Sequence, residues 1–220
     1  MRSDPWLAER LGRPALTVEA GDEPDVAAPE SAFLQTRVPA GDVARVGELE
    51  RAGWSVVDVN VTLERDPGIE PRSGVWAIGA PREGDRESLL TIAQDDYDVS
   101  RFHLDPQIPD ASARLIKRDW LGACLDGERG DHVLVAAAAD RPEGFLAVLR
   151  RPEALIIDLI AVRSAARGTG AGRALVTHLL AEADVRIEVG TQIANVSALR
   201  FYEALGFRAR DTRYVLHRHR

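Results

Sequence analysis

The most constraining stretch of the chain is a predicted strand, glycine-rich turn and helix between residues 155 and 183. Residues 155–162 read LIIDLIAV, an apolar run typical of a buried strand, and ALVTHLLAEA after residue 173 has the apolar spacing of a helix. The turn between them contains Arg167, Gly168, Thr169, Gly170, Ala171, Gly172 and Arg173. Glycines at the start of a helix let a phosphate approach backbone N–H groups at the positive end of the helix dipole. The stretch therefore predicts a diphosphate cradle flanked by arginines, or alternatively a plain turn that joins a strand to a helix.

Two well-known phosphate-binding patterns do not match this turn. The dinucleotide-binding pattern Gly-x-Gly-x-x-Gly has two residues before its third glycine, whereas Gly168, Gly170 and Gly172 are evenly spaced. The P-loop pattern requires Lys-Ser or Lys-Thr after its last glycine, and Arg173 and Ala174 stand there instead. We therefore expect a different class of diphosphate ligand.

The turn resembles the acetyl-CoA loop of the GNAT superfamily of N-acetyltransferases, Arg/Gln-x-x-Gly-x-Gly/Ala, with Arg167, Gly170 and Gly172 in register. Residues 195–207 (NVSALRFYEALGF) resemble the second signature of that superfamily, Asn-x-x-Ala-x-x-Phe-Tyr-x-x-x-Gly-Phe. The resemblance implies acetyl-CoA as the co-substrate. The coenzyme-binding residues that it implies are Ile160, Ala161 and Val162 of the strand, residues 167–173 of the turn, Asn195 and Tyr202.

The order of the predicted elements agrees with this fold. From about residue 75 the patterns predict two helices, a three-strand meander (residues 132–138, 144–149 and 154–162), and then helix, strand, helix and strand. The resemblance implies an α/β (α+β) GNAT fold, with a mixed, mostly antiparallel sheet flanked by helices. Residues 1–70 are predicted to form a small N-terminal α/β lobe, and a turn-rich stretch around residues 66–74 separates it from a catalytic domain at 71–220.

Two side chains are candidates for proton transfer. Asp158 interrupts the apolar strand, and burial of an unpaired carboxylate is costly. Its place resembles that of the base that deprotonates the amine in GNAT enzymes; the alternative is a carboxylate held by backbone or by an arginine for structure. Tyr202 resembles the general acid of the superfamily, which protonates the departing thiolate, and its alternative is a ring packed on its helix. Asn195 also fits a helix N-cap.

The N-terminal lobe narrows the choice of acceptor. Residues 33–64, 100–102 and 191–202 resemble the dTDP-fucosamine acetyltransferase family, which acetylates the amine of a nucleotide-linked amino-deoxysugar. This resemblance makes Asp58 a second proton-relay candidate, or else a solvent-facing strand carboxylate. It makes Arg101 and Phe102 substrate-binding candidates, with Arg101 either at the sugar nucleotide's diphosphate or simply at the surface. Another small-molecule amine, an amino acid, a protein N-terminus and a non-catalytic CoA-binding module remain open alternatives.

Composition argues against several other classes of function. The net charge of −7 does not favour nucleic acid, and no apolar run approaches the roughly twenty residues that span a bilayer. The single cysteine, Cys124, excludes an internal disulfide. The five histidines are scattered, with His217 and His219 in a basic tail, so no metal site is predicted. We expect a cytoplasmic protein without membrane contact. A homodimer is a further possibility, formed by pairing of the last strand between subunits as in related folds.

Overall fold

The computed structural model describes residues 1–19, 21–24, 27–68, 75–97 and 99–220. The strands of this part of the chain are β1 (Arg2–Ser3), β2 (Ala15–Thr17), β3 (Phe33–Pro39), β4 (Ser55–Arg65), β5 (Ala77–Gly79), β6 (His132–Ala138), β7 (Arg141–Arg151), β8 (Ala154–Val162), β9 (Arg186–Gln192) and β10 (Arg208–His219). Its α-helices are α1 (Pro5–Leu11), α2 (Val43–Arg51), α3 (Arg86–Asp95), α4 (Asp110–Leu125), α5 (Ala171–Glu182) and α6 (Val196–Glu203). No helix among the described residues is long and apolar enough to cross a membrane.

These strands form one sheet in the order β1-β2-β3-β10-β4-β9-β8-β7-β6-β5. Among the described strands only the pairs β2–β3 and β8–β9 are parallel. The predicted mixed, mostly antiparallel sheet and the meander β6–β7–β8 are therefore confirmed. Strand β4, from the N-terminal part, lies between β10 and β9 from the C-terminal part. The predicted division after residue 70 falls within residues 69–74, which lie outside the described residues.

Helices cover both faces of the central strands. Helices α5 and α6 share one apolar cluster with Leu146 and Leu155, whereas α3 and α4 share another with Phe145 and Ala147. Neighbouring residues of β7 therefore point to opposite faces, as the two-residue period of a strand requires. Because both faces are buried, β7 and β8 are apolar at most positions.

Strand β8 changes its pairing at Asp158. Its pairing with β9 ends at Ile157. On its other side Ala147 is opposite Leu159 and Val148 is opposite Ile157, so Asp158 is an extra, bulged residue. A β-bulge re-aims a side chain and often ends strand pairing. The sheet consequently opens between the C-terminal halves of β8 and β9.

Strand β10 is enclosed within the sheet. It pairs with β3 from Arg213 to His219 and with β4 from Arg208 to His217. Both edges are used between residues 213 and 217, so exchange of this strand between subunits has no free edge there. The prediction of a basic tail is wrong, because His217 and His219 belong to this strand and are well buried.

The sequence patterns also misplaced one turn and missed the first elements. Strand β7 begins at Arg141 rather than at residue 144, because Ala139 and Asp140 form a two-residue hairpin turn with positive φ angles of 47° and 61°. Helix α1 and strands β1 and β2 were not predicted. They place Leu7 in a buried cluster with Phe102, from the loop before α4.

Candidate functional site

The glycine-rich turn opens into solvent-accessible space at the start of α5. Gly168 and Gly170 have φ angles of 79° and 95°, which favour glycine, and a Cβ added at either would meet no atom within 4 Å. Gly170 is the N-cap of α5 and provides no side-chain cap to the first turn of the helix. The backbone N–H groups there are therefore available to an anion.

This turn forms one wall of a cavity of about 530 Å³, which we call the glycine-loop cavity. Every predicted coenzyme-binding residue except Thr169 lines it: Ile160, Ala161, Val162, Arg167, Gly168, Gly170, Ala171, Gly172, Arg173, Asn195 and Tyr202. Thr169 instead bonds within the loop, because its hydroxyl donates to the Ala166 carbonyl at 2.6 Å. The turn, the end of β8 and the start of α6 thus surround a common space.

The two arginines that flank the turn have different surroundings. Arg167 donates to the Val162 carbonyl at 3.3 Å and to the Asp96 carbonyl at 2.7 Å, and so ties the turn to β8 and to the segment after α3. Arg173 is exposed, lines the glycine-loop cavity and has no ion pair or side-chain hydrogen bond to any described residue. Arg173 is therefore the cation that is better placed to meet a phosphate.

Tyr97 occupies the open edge of β8. Its hydroxyl accepts from the Ile160 backbone N–H at 2.9 Å and donates to the Ile160 carbonyl at 2.7 Å. These are backbone groups of Ile160, one of the strand residues that the GNAT resemblance assigns to coenzyme binding. Binding through Ile160 would therefore require Tyr97 to release them. The sequence analysis did not single out Tyr97.

Tyr202 lies deep in the glycine-loop cavity. Its ring packs edge-on against Phe201 and Phe207, and its hydroxyl makes no hydrogen bond to any described residue. Burial raises the pKa of Tyr202, so its phenol carries a proton at neutral pH. Nearby, the Asn195 side chain accepts from the Ala198 N–H at 3.1 Å, so Asn195 caps α6 as well as lining the cavity.

A second cavity, of about 280 Å³, lies against the bulged part of β8 and is called here the α4 cavity. Strands β3, β4, β8 and β9, the loop at residues 100–102 and helix α4 line it. Its cationic side chains are Arg37, Arg101 and Lys117. No ion pair joins any of the three to a carboxylate among the described residues.

Asp158 lines the α4 cavity but is already engaged. Its carboxylate accepts from Arg129 Nε at 2.7 Å and Nη2 at 3.0 Å, and from Trp120 Nε1 at 2.7 Å. The Arg129 guanidinium also stacks on the Trp120 ring at 4.3 Å. This geometry matches the structural alternative from the sequence analysis, a carboxylate held by an arginine. Arg129 and Trp120 were not singled out as its partners.

Asp58 is a carboxylate whose surroundings contrast with those of Asp158. It is only 6% exposed, which excludes the alternative of a solvent-facing strand residue. Neither oxygen has a partner in hydrogen-bond geometry, although the Val59 N–H lies near enough to favour the ionised form. Burial raises the pKa of Asp58 to about 6, against the attraction of Arg37 and Arg101. Asp58 is thus an unpaired carboxylate that titrates near neutral pH.

Arg101 and Phe102 lie between the α4 cavity and a third one. The third cavity, of about 420 Å³, lies between α1 and α4 and is called the α1 cavity; Arg101, Phe102 and Trp120 line both it and the α4 cavity. The Arg101 guanidinium stacks on Phe102 at 4.2 Å and donates to Gln35 Oε1. Burial and the nearby Arg37 lower the pKa of Arg101, yet arginine remains cationic at neutral pH. Arg101 is therefore half-buried in the walls of two cavities rather than lying free at the surface.

A cluster of Asp105, His217 and His219 was missed in the sequence. Asp105 Oδ2 lies 2.7 Å from His217 Nδ1 and 2.8 Å from His219 Nε2, a spacing that a metal could use. Each imidazole also has an outer nitrogen that faces a guanidinium donor. His217 Nε2 lies 3.4 Å from Arg101 Nη1, and His219 Nδ1 lies 2.6 Å from Arg13 Nη2. Metal-binding histidines direct the outer nitrogen to an acceptor instead. The cluster therefore fits a hydrogen-bonded network of neutral imidazoles better than a metal site.

The pKa shifts of His217 and Asp105 agree with a hydrogen-bonded network rather than a metal site. Burial lowers the pKa of His217 to about 4, although the hydrogen bond to Asp105 opposes this effect. Burial alone would raise the pKa of Asp105, but the bonds from both histidines outweigh burial and lower it. An ionised carboxylate thus accepts from two imidazoles.

Comparisons with known proteins agree with this architecture. Residues 87–207, more than half of the chain, match the Acetyltransferase (GNAT) family. Spore coat polysaccharide biosynthesis protein SpsD of Bacillus subtilis is 28% identical over 215 residues, which cover 95% of this chain and 72% of that protein. The dTDP-fucosamine acetyltransferase of Escherichia coli O6:H1 is 29% identical over 201 residues, which cover 89% and 85%.

Among solved structures, a GCN5-related N-acetyltransferase from Sphaerobacter thermophilus has a TM-score of 0.60 at 13% identity, and the match covers 88% of this chain and 62% of that one. At this level of identity the structural similarity supports a shared fold and nothing further. The family match and the glycine-loop cavity identify the chain itself: it belongs to the GNAT family of acetyltransferases.

Proposed function

We propose that this acetyltransferase moves acetyl from acetyl-CoA to the amine of a nucleotide-linked amino-deoxysugar. The names of the two relatives, a polysaccharide biosynthesis protein and a dTDP-fucosamine acetyltransferase, support such an acceptor. The observation that carries the proposal is the unpaired positive charge of the α4 cavity. Acetyl-CoA is a metabolite of the cytoplasm, so we place the reaction there.

The chain's own residues fit acetyl-CoA in the glycine-loop cavity. The uncapped turn of α5 and the unpartnered Arg173 would hold the diphosphate, because both offer donors to an anion. A Cβ at Gly168 or Gly170 would extend into the same open space. The coenzyme supplies a thioester, whose carbonyl carbon an amine can attack.

Tyr202 and Asp58 have the protonation states that this transfer needs. Tyr202 keeps its proton and has a free hydroxyl in the cavity, so it can protonate the departing thiolate. Asp58 is largely ionised at neutral pH, and its oxygens have no hydrogen-bond partner among the described residues. It lies outside the cavity lining, on the same face of β4 as the lining residues Asn60 and Thr62, so it would receive the proton of the acceptor's ammonium group through a relay. Asp158 remains a candidate base, although its oxygens already accept three hydrogen bonds.

The charges of the α4 cavity favour an anionic acceptor. Arg129 neutralises Asp158, and Arg186 and Arg210 neutralise Glu188, which is the other carboxylate in the wall. No other carboxylate lines this cavity, and Asp58, which lies outside the lining, attracts only Arg37 and Arg101 of the three unpaired cations. Lys117 is buried and Arg101 is half-buried, and such cations are costly without a counter-charge, which a diphosphate next to Arg101 would supply.

The α1 cavity suits the nucleoside part of such a substrate. Trp6 from α1 and Trp120 from α4 meet edge to face at 5.9 Å in its wall. Aromatic walls and arginines are the groups on which nucleobases stack. Because Arg101 lines both cavities, a diphosphate beside it would have the sugar on the α4 side and the nucleoside on the α1 side.

A panel of amines tests the proposal. CoA release and product mass are measured with an amino-sugar nucleotide, its free amino-sugar, an amino acid, an aminoglycoside and a peptide N-terminus. We expect the sugar nucleotide to be preferred. Arg101→Met should raise its KM by about tenfold or more, the loss expected for a charge-assisted hydrogen bond, with the KM of acetyl-CoA unchanged.

Arg82→Met is the matched control, because Arg82 is exposed and pairs only with the exposed Asp140. Acetylation of peptides or aminoglycosides with an unmodified sugar nucleotide would refute the proposed acceptor. Saturable CoA binding without turnover on any amine would instead favour a non-catalytic binding module.

A further inference from the structure

Lys117 is the only lysine of the chain, and it lies inside the protein. It belongs to α4, is 8% exposed and lines the α4 cavity. The other 27 basic residues are arginines, which acetyl-CoA does not readily modify. A single side-chain amine therefore stands in the wall of the proposed acceptor site.

The surroundings of the Lys117 amine are aromatic. Its Nζ lies 4.8 Å from the centre of the Tyr97 ring and 4.9 Å from that of Trp120. No carboxylate pairs with it among the described residues. Burial first, and then the nearby Arg101, lower the pKa of Lys117 to about 8. About half of the amines are then neutral at pH 8, compared with less than about 1% for an ordinary lysine.

Tyr97 links this amine to the coenzyme side of the sheet. Its ring contacts Lys117, and its hydroxyl bonds the backbone of Ile160 at the open edge of β8. Tyr97 also lines the glycine-loop cavity together with Tyr202. Lys117 therefore lines one cavity and contacts a residue that lines the other, so an acetyl group would reach its Nζ from the coenzyme past the Tyr97 ring.

We propose that Lys117 is an internal acetyl acceptor, which the protein acetylates from its own bound acetyl-CoA when no amine substrate occupies the α4 cavity. The neutral Nζ attacks the thioester carbonyl carbon, a C–N bond forms and the C–S bond breaks. The thiolate takes a proton from Tyr202, and the proton lost by Nζ is relayed through solvent to the Tyr202 phenolate, which restores the phenol. The products are acetyl-Lys117 and CoA.

Acetylation would remove one of the three unpaired cations of the α4 cavity. If the acceptor is anionic, as proposed above, the modified protein binds it less well, and scarcity of acceptor then reduces activity. This consequence rests on the proposed function. The acetylation itself rests only on acetyl-CoA binding and can be tested without knowing the acceptor.

The experiment uses the full chain, acetyl-CoA and no acceptor. Intact mass should increase by one acetyl group, and peptide mapping should locate the group at Lys117 rather than at the N-terminal amine. The rate should rise with pH around 8, since the neutral amine reacts. Lys117→Arg keeps a cation but removes the reactive amine, and should show no side-chain acetylation.

A second lysine controls for non-enzymatic acetylation. Arg82→Lys places an ordinary exposed lysine in the same molecule, outside the three cavities. Lys117 should be acetylated at least about tenfold faster than this introduced lysine, and unfolding in urea should abolish the difference. An unmodified Lys117, or equal rates at the two positions, would overturn the proposal. If Lys117 stays unmodified while the sugar nucleotide is acetylated, only this inference fails.

Discussion

Two buried carboxylates on the same side of the sheet differ in chemistry because their partners differ. Asp158 accepts three hydrogen bonds from Arg129 and Trp120, whereas the oxygens of Asp58 have no partner in hydrogen-bond geometry. A base must have a free lone pair and a pKa near the working pH. Asp58 meets both conditions but lies outside the lining of the α4 cavity, so we propose it as the proton relay and propose that Asp158 positions Arg129 and Trp120.

The pH dependence of kcat/KM separates these two assignments. Because Asp58 must be ionised to act, kcat/KM should rise through a pKa of about 6 in the native protein. Asp58→Asn should lower activity by about 10²-fold or more and remove this limb. Asp158→Asn should keep the limb and lower the melting temperature, because it weakens the Arg129 ion pair. A limb near pH 6 that survives in Asp58→Asn would reassign the base.

Stability should respond to Asp58 in the opposite direction to activity. A raised carboxylate pKa means that the ionised form is disfavoured in the folded state. The folded state therefore loses stability as pH rises from the ordinary pKa of about 4 to about 6, and no more above that. At pH 7 Asp58→Asn should thus melt no lower than the native chain while losing activity, a combination typical of a functional residue.

At the residue scale, the sequence identifies individual candidate residues better than it identifies the residues that bond to them. Asp158 stands out because it interrupts an apolar strand. Its partner Arg129 is 29 residues earlier in the chain, and no periodicity connects the two. Lys117 carried a usable signal as the only lysine among 28 basic residues. Composition alone indicates only a bias towards arginine, because the burial of Lys117 in α4 is a tertiary property.

At the scale of elements, β8 lines the α4 cavity up to its bulge and the glycine-loop cavity beyond it. The sequence predicts the strand and the turn after it with correct bounds, since apolar runs and glycines are local signals. The end of pairing with β9 at Ile157 is a property of two strands together. Helix α1 was missed, although Asp4 caps its start, Pro5 is its first residue and Gly12 follows its end. At seven residues it is too short to show clear apolar spacing.

Gly170→Val tests the element that starts α5. At a φ of 95° a β-branched side chain is strained, and its methyl groups would extend into the glycine-loop cavity. We expect acetyl-CoA binding to be lost in calorimetric titration. Gly84→Val is the matched control, because Gly84 has a φ of 93° and equally open space, but lies outside the glycine-loop cavity. The Gly84→Val variant should lose stability as Gly170→Val does, and it should keep its affinity for acetyl-CoA.

Tyr202→Phe completes this comparison by separating binding from chemistry. The variant keeps the ring that packs between Phe201 and Phe207 and loses only the hydroxyl. Acetyl-CoA affinity should therefore stay within a few-fold while kcat falls by about 10²-fold, as is typical for loss of an acid. Unchanged kcat would remove Tyr202 from the mechanism, and a normal titration of Gly170→Val would refute the diphosphate site.

For the whole molecule, the N-terminal strands are part of the catalytic sheet. Strand β4 pairs with β10 on one side and β9 on the other, and its Val61 and Leu63 belong to the cluster that α5 and α6 share. Asn60 and Thr62, on the other face of the same strand, line the α4 cavity. The predicted split into a lobe at 1–70 and a domain at 71–220 thus describes the order of the chain, and we infer that the two parts fold as one unit.

Removal of residues 1–74 tests this inference. Burial of Val61 and Leu63 alone contributes about 3–6 kcal/mol, which is comparable with the whole stability of many domains. The fragment 75–220 would also expose the edges of β9 and β10. We expect it to be insoluble or unfolded by circular dichroism, and the full chain to melt in a single calorimetric transition. Cleaving the folded chain between residues 68 and 75 is the control, since the pieces should remain associated through β4 and keep their acetyl-CoA affinity. A soluble 75–220 fragment with native affinity would show that the catalytic domain stands alone.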